Sequence, residues 1–120
     1  MNKYMANYKL LNFEIFGDSK GSLVPIEPGH NLPFEIKRVY YIFNTKEGVE
    51  RGFHAHLSLK QLVIPVKGSC TFVLDDGIKK TDIKLDKPNK GLFIEGMIWR
   101  EMKNFTPDCV LMVLASERYN

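Results

Sequence analysis

No apolar run in this 120-residue chain approaches the length of about 18 residues that a membrane-spanning helix needs. The opening "MNKYMANYKL" has neither an apolar h-region nor a small-residue cleavage site, so no secretory signal is read there and a cytoplasmic location is expected. Cysteine is scarce: Cys70 and Cys109 both sit in apolar, strand-like runs, which reads as buried free thiols without chemistry of their own. Excess charge is small as well. A net charge of +3, with basic residues scattered rather than gathered on one periodic face, gives no footprint for nucleic acid, although it permits a small anionic ligand. No internal repeat, low-complexity tract or helical periodicity is present.

What remains is ordinary globular composition, 44% hydrophobic and 26% charged, in a chain long enough for one domain over residues 1–120 with a real core. Apolar and polar residues alternate between turn signals from end to end. This pattern predicts strands over 9–16, 22–27, 36–43, 52–56, 61–67, 69–74, 79–85, 92–94 and 109–115. The punctuators include "GDSKG", "EPGHNLP", "DDG" and "NFTPD". Asp75-Asp76-Gly77 is a hairpin signal, since Asp and Gly tolerate the positive φ of a tight turn. Nine short strands in one small domain indicate a sandwich or barrel, with a jelly roll favoured over an immunoglobulin-like arrangement.

The stretch "VERGFHAHLSLKQLVIPVKG" carries two histidines one residue apart. Residues two apart on a strand share a face, so His54 and His56 project together into one cavity or onto one surface. Without a metal, two imidazoles suit proton transfer near neutral pH. The bland alternative is a polar pair on a sheet rim.

The frame around them resembles the first motif of the cupins: Gly48, five residues, His54-x-His56, four residues, Gln61, six residues, Gly68. Gln61 stands where that motif has glutamate. The second cupin motif has its nearest counterpart in "IEGMIWREMKN", where Trp99 or Arg100 replaces the expected histidine. Arginine is a permanent cation and glutamine lacks a negative charge, so only two good ligands remain and no metal is expected. His30, in the loop "PGHNLP", has no spacing that recruits it. The resemblance implies an all-β, cupin-type jelly-roll small barrel.

Taken together, "KGSLVPIE", "NLPFEIKRVYYIF", "RGFHAHLSLKQLVIPVKGS", "LDDG", "GLFIEGMIWREM" and "FTPDCVLMVLAS" resemble the sugar 3,4-ketoisomerases acting on dTDP-4-keto-6-deoxyglucose. That resemblance implies a cytoplasmic enzyme without metal or redox cofactor, on the route to dTDP-3-amino-3,6-dideoxyhexoses of bacterial surface glycans such as O-antigen. It further implies a homodimer with exchanged N-terminal strands. By the same resemblance His56 is the base and His54 the partner that shuttles or orients the proton, and Tyr40 rather than Tyr41 faces the pocket. Arg51 is a candidate for steadying an oxyanion or a phosphate, and Arg38 and Lys20 for the dTDP pyrophosphate. Gln61 is a candidate hydrogen-bond partner for a histidine or a sugar hydroxyl. Arg100 resembles relatives that give a gluco-configured product, whereas the basic Lys20 resembles the galacto relatives; the gluco product is the expectation. A dTDP-sugar 3,5-epimerase and a non-catalytic sugar-binding module are the alternatives.

Overall fold

The structure is a computed structural model in which residues 7–45, 51–53, 58–96 and 98–119 are described. Their regular elements are all strands: β1 (Asn7–Asn12), β2 (Phe16–Asp18), β3 (Gly21–Leu23), β4 (Arg38–Ile42), β5 (Arg51–Phe53), β6 (Lys60–Lys67), β7 (Cys70–Asp75), β8 (Lys80–Leu85), β9 (Lys90–Glu95), β10 (Trp99–Lys103) and β11 (Val110–Ala115). They form a five-stranded sheet in the order β1-β9-β6-β11-β4 and a four-stranded sheet in the order β5-β10-β7-β8, with β2-β3 as a separate hairpin. Every pairing between named strands is antiparallel, as the jelly-roll expectation requires.

Side-chain alternation sorts each strand into two faces. On β6, Val63 joins one buried cluster and Leu62 and Ile64 another. On β11, Leu111 and Val113 join the first and Leu114 the second. The first cluster also takes Phe72 and Leu74 of β7 and Met102 of β10, so it fills the space between the two sheets. The second lies on the outer side of the five-stranded sheet, where Phe13, Leu32 and Phe34 cover it; the Phe34 and Phe93 rings stack with centroids 6.1 Å apart. Asn31 ties down the covering loop, accepting from the Glu27 N–H at 2.7 Å and donating to the Pro25 carbonyl at 2.9 Å. A central sheet buried on both faces explains why "QLVIPV" reads as a nearly unbroken apolar run.

The expected hairpin at Asp75-Asp76-Gly77 joins β7 to β8. Gly77 has φ of 91°, and the Asp76 carboxylate accepts from the N–H groups of Ile78 (2.8 Å) and Lys79 (3.0 Å), which hold its pKa below the ordinary value. Two expectations need correction. The single strand expected over 9–16 is broken, because Phe13 turns into the outer cluster and its N–H bonds the Asn89 carbonyl at 2.8 Å. The strand expected over 22–27 ends at Leu23, just before the loop that Asn31 ties to Pro25. One strand, β10, was not expected at all.

Candidate functional site

Gln61, the second residue of β6, lies on the face that carries Val63 and so projects into the space between the sheets, where it is 4% exposed. Across the ladder it aligns with Ala115 of β11, which in turn aligns with Arg38 of β4. Two residues further along β4, Tyr40 points to the same side and packs against the inner cluster, while Tyr41 faces outward. From the opposite sheet Arg100, on β10, reaches across with only 1% exposure; its neighbour Trp99 faces outward.

These three side chains form a chain of hydrogen bonds. Arg100 donates through Nη1 to Gln61 Oε1, and Gln61 donates through Nε2 to the Tyr40 hydroxyl oxygen at 3.1 Å. Burial pushes the guanidinium pKa down to about 10, opposed by the nearby Tyr40, so it remains a cation at neutral pH. Its Nε and Nη2 have no hydrogen-bond partner among the described residues. A buried cation with two unused donors is an electrostatic site for an oxygen that carries or develops negative charge.

The two positions where the sequence departs from a metal-binding cupin are thus bonded to each other. Gln61's oxygen is occupied by a donor-only cation, so this pair does not fit a divalent ion. His30 sits on the outer side of the five-stranded sheet, beside Lys9, Leu11 and Asn31 in a groove of about 310 Å³, away from Gln61.

Arg38 lies at the rim of the same sheet, its guanidinium carbon 5.1 Å from the Tyr40 ring centre and 5.7 Å from that of Tyr119. Its Nε is buried without a hydrogen-bond partner among the described residues. Beside it, Ile36, Lys37, Glu117, Arg118 and Tyr119 line a groove of about 610 Å³. Tyr119 was missed in the sequence, since a tyrosine just past the last strand carries no motif or periodicity. Lys20 stands in the exposed turn of the separate β2-β3 hairpin, its own N–H held by Asp18 at 2.8 Å. Among the described residues, no strand pairing joins that hairpin to the sheets that carry Gln61 and Arg100.

His54 and His56 lie outside the described residues. The strand that leads to them, β5, pairs with β10 through Phe53 opposite Arg100 and Arg51 opposite Met102. Arg51 is described only as backbone of that strand.

The family profile for FdtA, described as WxcM-like, C-terminal, matches residues 6–120. The TDP-4-oxo-6-deoxy-alpha-D-glucose-3,4-oxoisomerase of Aneurinibacillus thermoaerophilus is 52% identical over 112 residues, covering 93% of this chain and 81% of that protein. The crystal structure of a 3,4-ketoisomerase from Helicobacter canadensis shares 50% identity and superposes with a TM-score of 0.90 over 95% of this chain and 86% of its own. QdtA, a sugar 3,4-ketoisomerase from Thermoanaerobacterium thermosaccharolyticum solved in complex with TDP, is 43% identical with a TM-score of 0.92, covering 95% of this chain and 83% of that one. A match across nearly the whole chain, on the same two-sheet barrel, shows that this chain belongs to the sugar 3,4-ketoisomerase family.

Proposed function

We propose that this chain is an isomerase that moves the carbonyl of TDP-4-keto-6-deoxyglucose from C4 to C3. The observation that carries the reading is Arg100: a buried cation with unused N–H donors, set beside the Tyr40 hydroxyl at the end of the strand pair that leads to two histidines. Moving the carbonyl removes the C3 proton, passes through an enediol or enediolate, and returns a proton to C4. The sugar is oxidised at one carbon and reduced at its neighbour, so the atoms balance without an external oxidant. His54 and His56 divide the proton abstraction and the proton return between them. Arg100 and Tyr40 stabilise the oxyanion, and Arg51 and Arg38 serve the pyrophosphate. Lys20, far along the chain on its own hairpin, would reach the nucleotide only from a partner subunit.

The product is proposed to be gluco-configured at C4, on the resemblance of Arg100 in "WREM" to the relatives of that branch. The working form is proposed to be a cytoplasmic homodimer in which the N-terminal strand is exchanged, serving the synthesis of dTDP-3-amino-3,6-dideoxyhexoses.

The test is proton NMR in deuterated water with TDP-4-keto-6-deoxyglucose, using chelator-treated protein and the His54→Asn and His56→Asn variants. The expected result is a ketone at C3 with solvent deuterium incorporated at the carbon that is reprotonated. Each variant is expected to be slower by at least about a hundredfold, the loss typical for a general acid or base. Exchange of the C3 proton of the remaining substrate for solvent deuterium that persists in only one variant identifies the base as the histidine whose replacement abolishes it, and the C4 proton couplings give the configuration. Tight binding of the sugar nucleotide without any conversion would replace the isomerase by the sugar-binding module.

A further inference from the structure

Gln61 occupies a position where a substrate ligand was expected, yet both ends of its amide are engaged by protein. Its orientation follows from chemistry. Arg100 has only donors, so the side facing it must be Oε1, and the side facing Tyr40 must then be the Nε2 amide. The reversed amide would set two buried donors against each other. An amide N–H in turn can only donate, so Tyr40's oxygen is the acceptor and its phenolic proton must point elsewhere. Among the described residues no acceptor takes that proton.

We infer that Gln61 is a positioning residue: held by Arg100, it fixes the Tyr40 hydroxyl so that its proton is offered into the space between the sheets, to the sugar oxygen on which charge develops. The inference rests on the isomerase reading above. It gives the replacement of the cupin acid by an amide a chemical reason. A carboxylate at position 61 would accept from both Arg100 and Tyr40, turning the phenol proton away from the substrate. The amide reads one polarity from the guanidinium and passes the opposite one to the phenol.

The variant that separates these cases is Gln61→Glu, nearly isosteric and well matched to Arg100, so that folding is retained. Its kcat is expected to fall by about a hundredfold, comparable to the loss of one oxyanion donor, with KM essentially unchanged. The Gln61→Glu/Tyr40→Phe double variant is expected to be no slower than Tyr40→Phe alone, because both remove the same donor. Independently of activity, the 13Cζ signal of Tyr40 in ligand-free protein is expected to move downfield in Gln61→Glu as the phenol changes from acceptor to donor. An unmoved signal overturns the orientation, and a moved signal with wild-type kcat overturns its role in the reaction. Multiplicative losses in the double variant also overturn it. If the wild type does not isomerise the sugar, the function reading fails on its own assay, and the NMR signal still decides whether Gln61 orients the phenol.

Discussion

Arg100, proposed to steady the oxyanion, is also expected to cost stability. Its guanidinium is 1% exposed and bonded to protein only through Gln61 among the described residues, and two of its N–H donors are unused. Removing the cation alone leaves the Gln61 carbonyl oxygen buried without a donor, whereas removing both partners leaves neither group orphaned. The Gln61→Met/Arg100→Met double variant is therefore expected to be as stable as the wild type or more so, by about 1–4 kcal/mol. At about 4 °C per kcal/mol for a domain of this size, calorimetry would read a rise of several degrees, with isomerisation lost. The single Arg100→Met variant should melt below the double one. A double variant that melts well below wild type would show that the relay holds the barrel together.

Cys70 offers a second expectation at this scale. Burial, aided by the adjacent Cys109, pushes its thiol from about 9 up to about 12, and burial raises Cys109 as well. A folded-state pKa above the unfolded one means that, between about pH 9 and 12, the native chain holds a proton that the unfolded chain releases. Stability therefore falls as pH rises through that window. At pH 10.5 the contribution is about 2 kcal/mol, taking 1.36 kcal/mol per unit. Cys70→Ala should melt lower than wild type at pH 7 and close the gap by pH 10.5; a gap independent of pH refutes the shift. The reading of both cysteines as buried free thiols holds. It was legible because each lies in an apolar alternating run.

At the scale of elements, what the sequence shows depends on whether inward positions are apolar. The strands β6, β7, β8 and β11 follow that rule apart from Gln61 and Thr81, and their expected bounds lie within a residue or two of the observed ones. β10 breaks it: in "WREMK" the inward positions are Arg100 and Met102 and the outward ones Trp99 and Glu101. A charge facing in and a tryptophan facing out invert the pattern, so the candidate site residue itself hid the strand. The site was legible through motif spacing, which placed Gln61 and Arg100 at special positions; their bond to each other needs the fold, since they come from opposite sheets.

The turn between β6 and β7 carries the element-scale prediction. Gly68 has φ of 69°, and a Cβ there would lie 2.4 Å from Thr106 Oγ1 and 2.7 Å from the Cys109 backbone Cα. The crowding arises because Thr106 crosses the turn, donating its N–H to the Ser69 carbonyl at 2.9 Å and accepting from the Ser69 N–H through its hydroxyl at 2.9 Å. Gly77 has a similar backbone, φ 91°, but open space around the missing Cβ. Gly77→Ala is thus expected to cost about 1 kcal/mol from backbone strain alone. Gly68→Ala must add a backbone clash and should cost clearly more in urea denaturation. Equal losses would mean that the Thr106 crossing yields without resistance.

For the whole molecule, the contrast between two sheet edges bears on assembly. Strand β8 ends the four-stranded sheet and turns Lys80, Asp82 and Lys84 outward, charges that discourage another chain from docking. Strand β4 ends the five-stranded sheet and turns out Val39, Tyr41 and Phe43, which are 55%, 66% and 55% exposed. The rings of Tyr41 and Phe43 lie 5.8 Å apart, so this is one continuous apolar row. In the single chain β1 pairs with β9 from Asn7 opposite Glu95 to Asn12 opposite Lys90, and a partner's β1 could supply the same register. The proposed homodimer therefore has two separable supports. Sedimentation is expected to give twice the mass of one chain for the wild type. The Val39→Lys/Tyr41→Lys variant should shift toward monomer if the β4 face is the interface, whereas deletion of residues 1–12 should do so if strand exchange holds the pair. A wild type that sediments as a monomer at all concentrations would remove the dimer. It would also leave Lys20, on its separate hairpin, without the partner subunit through which it was proposed to reach the nucleotide.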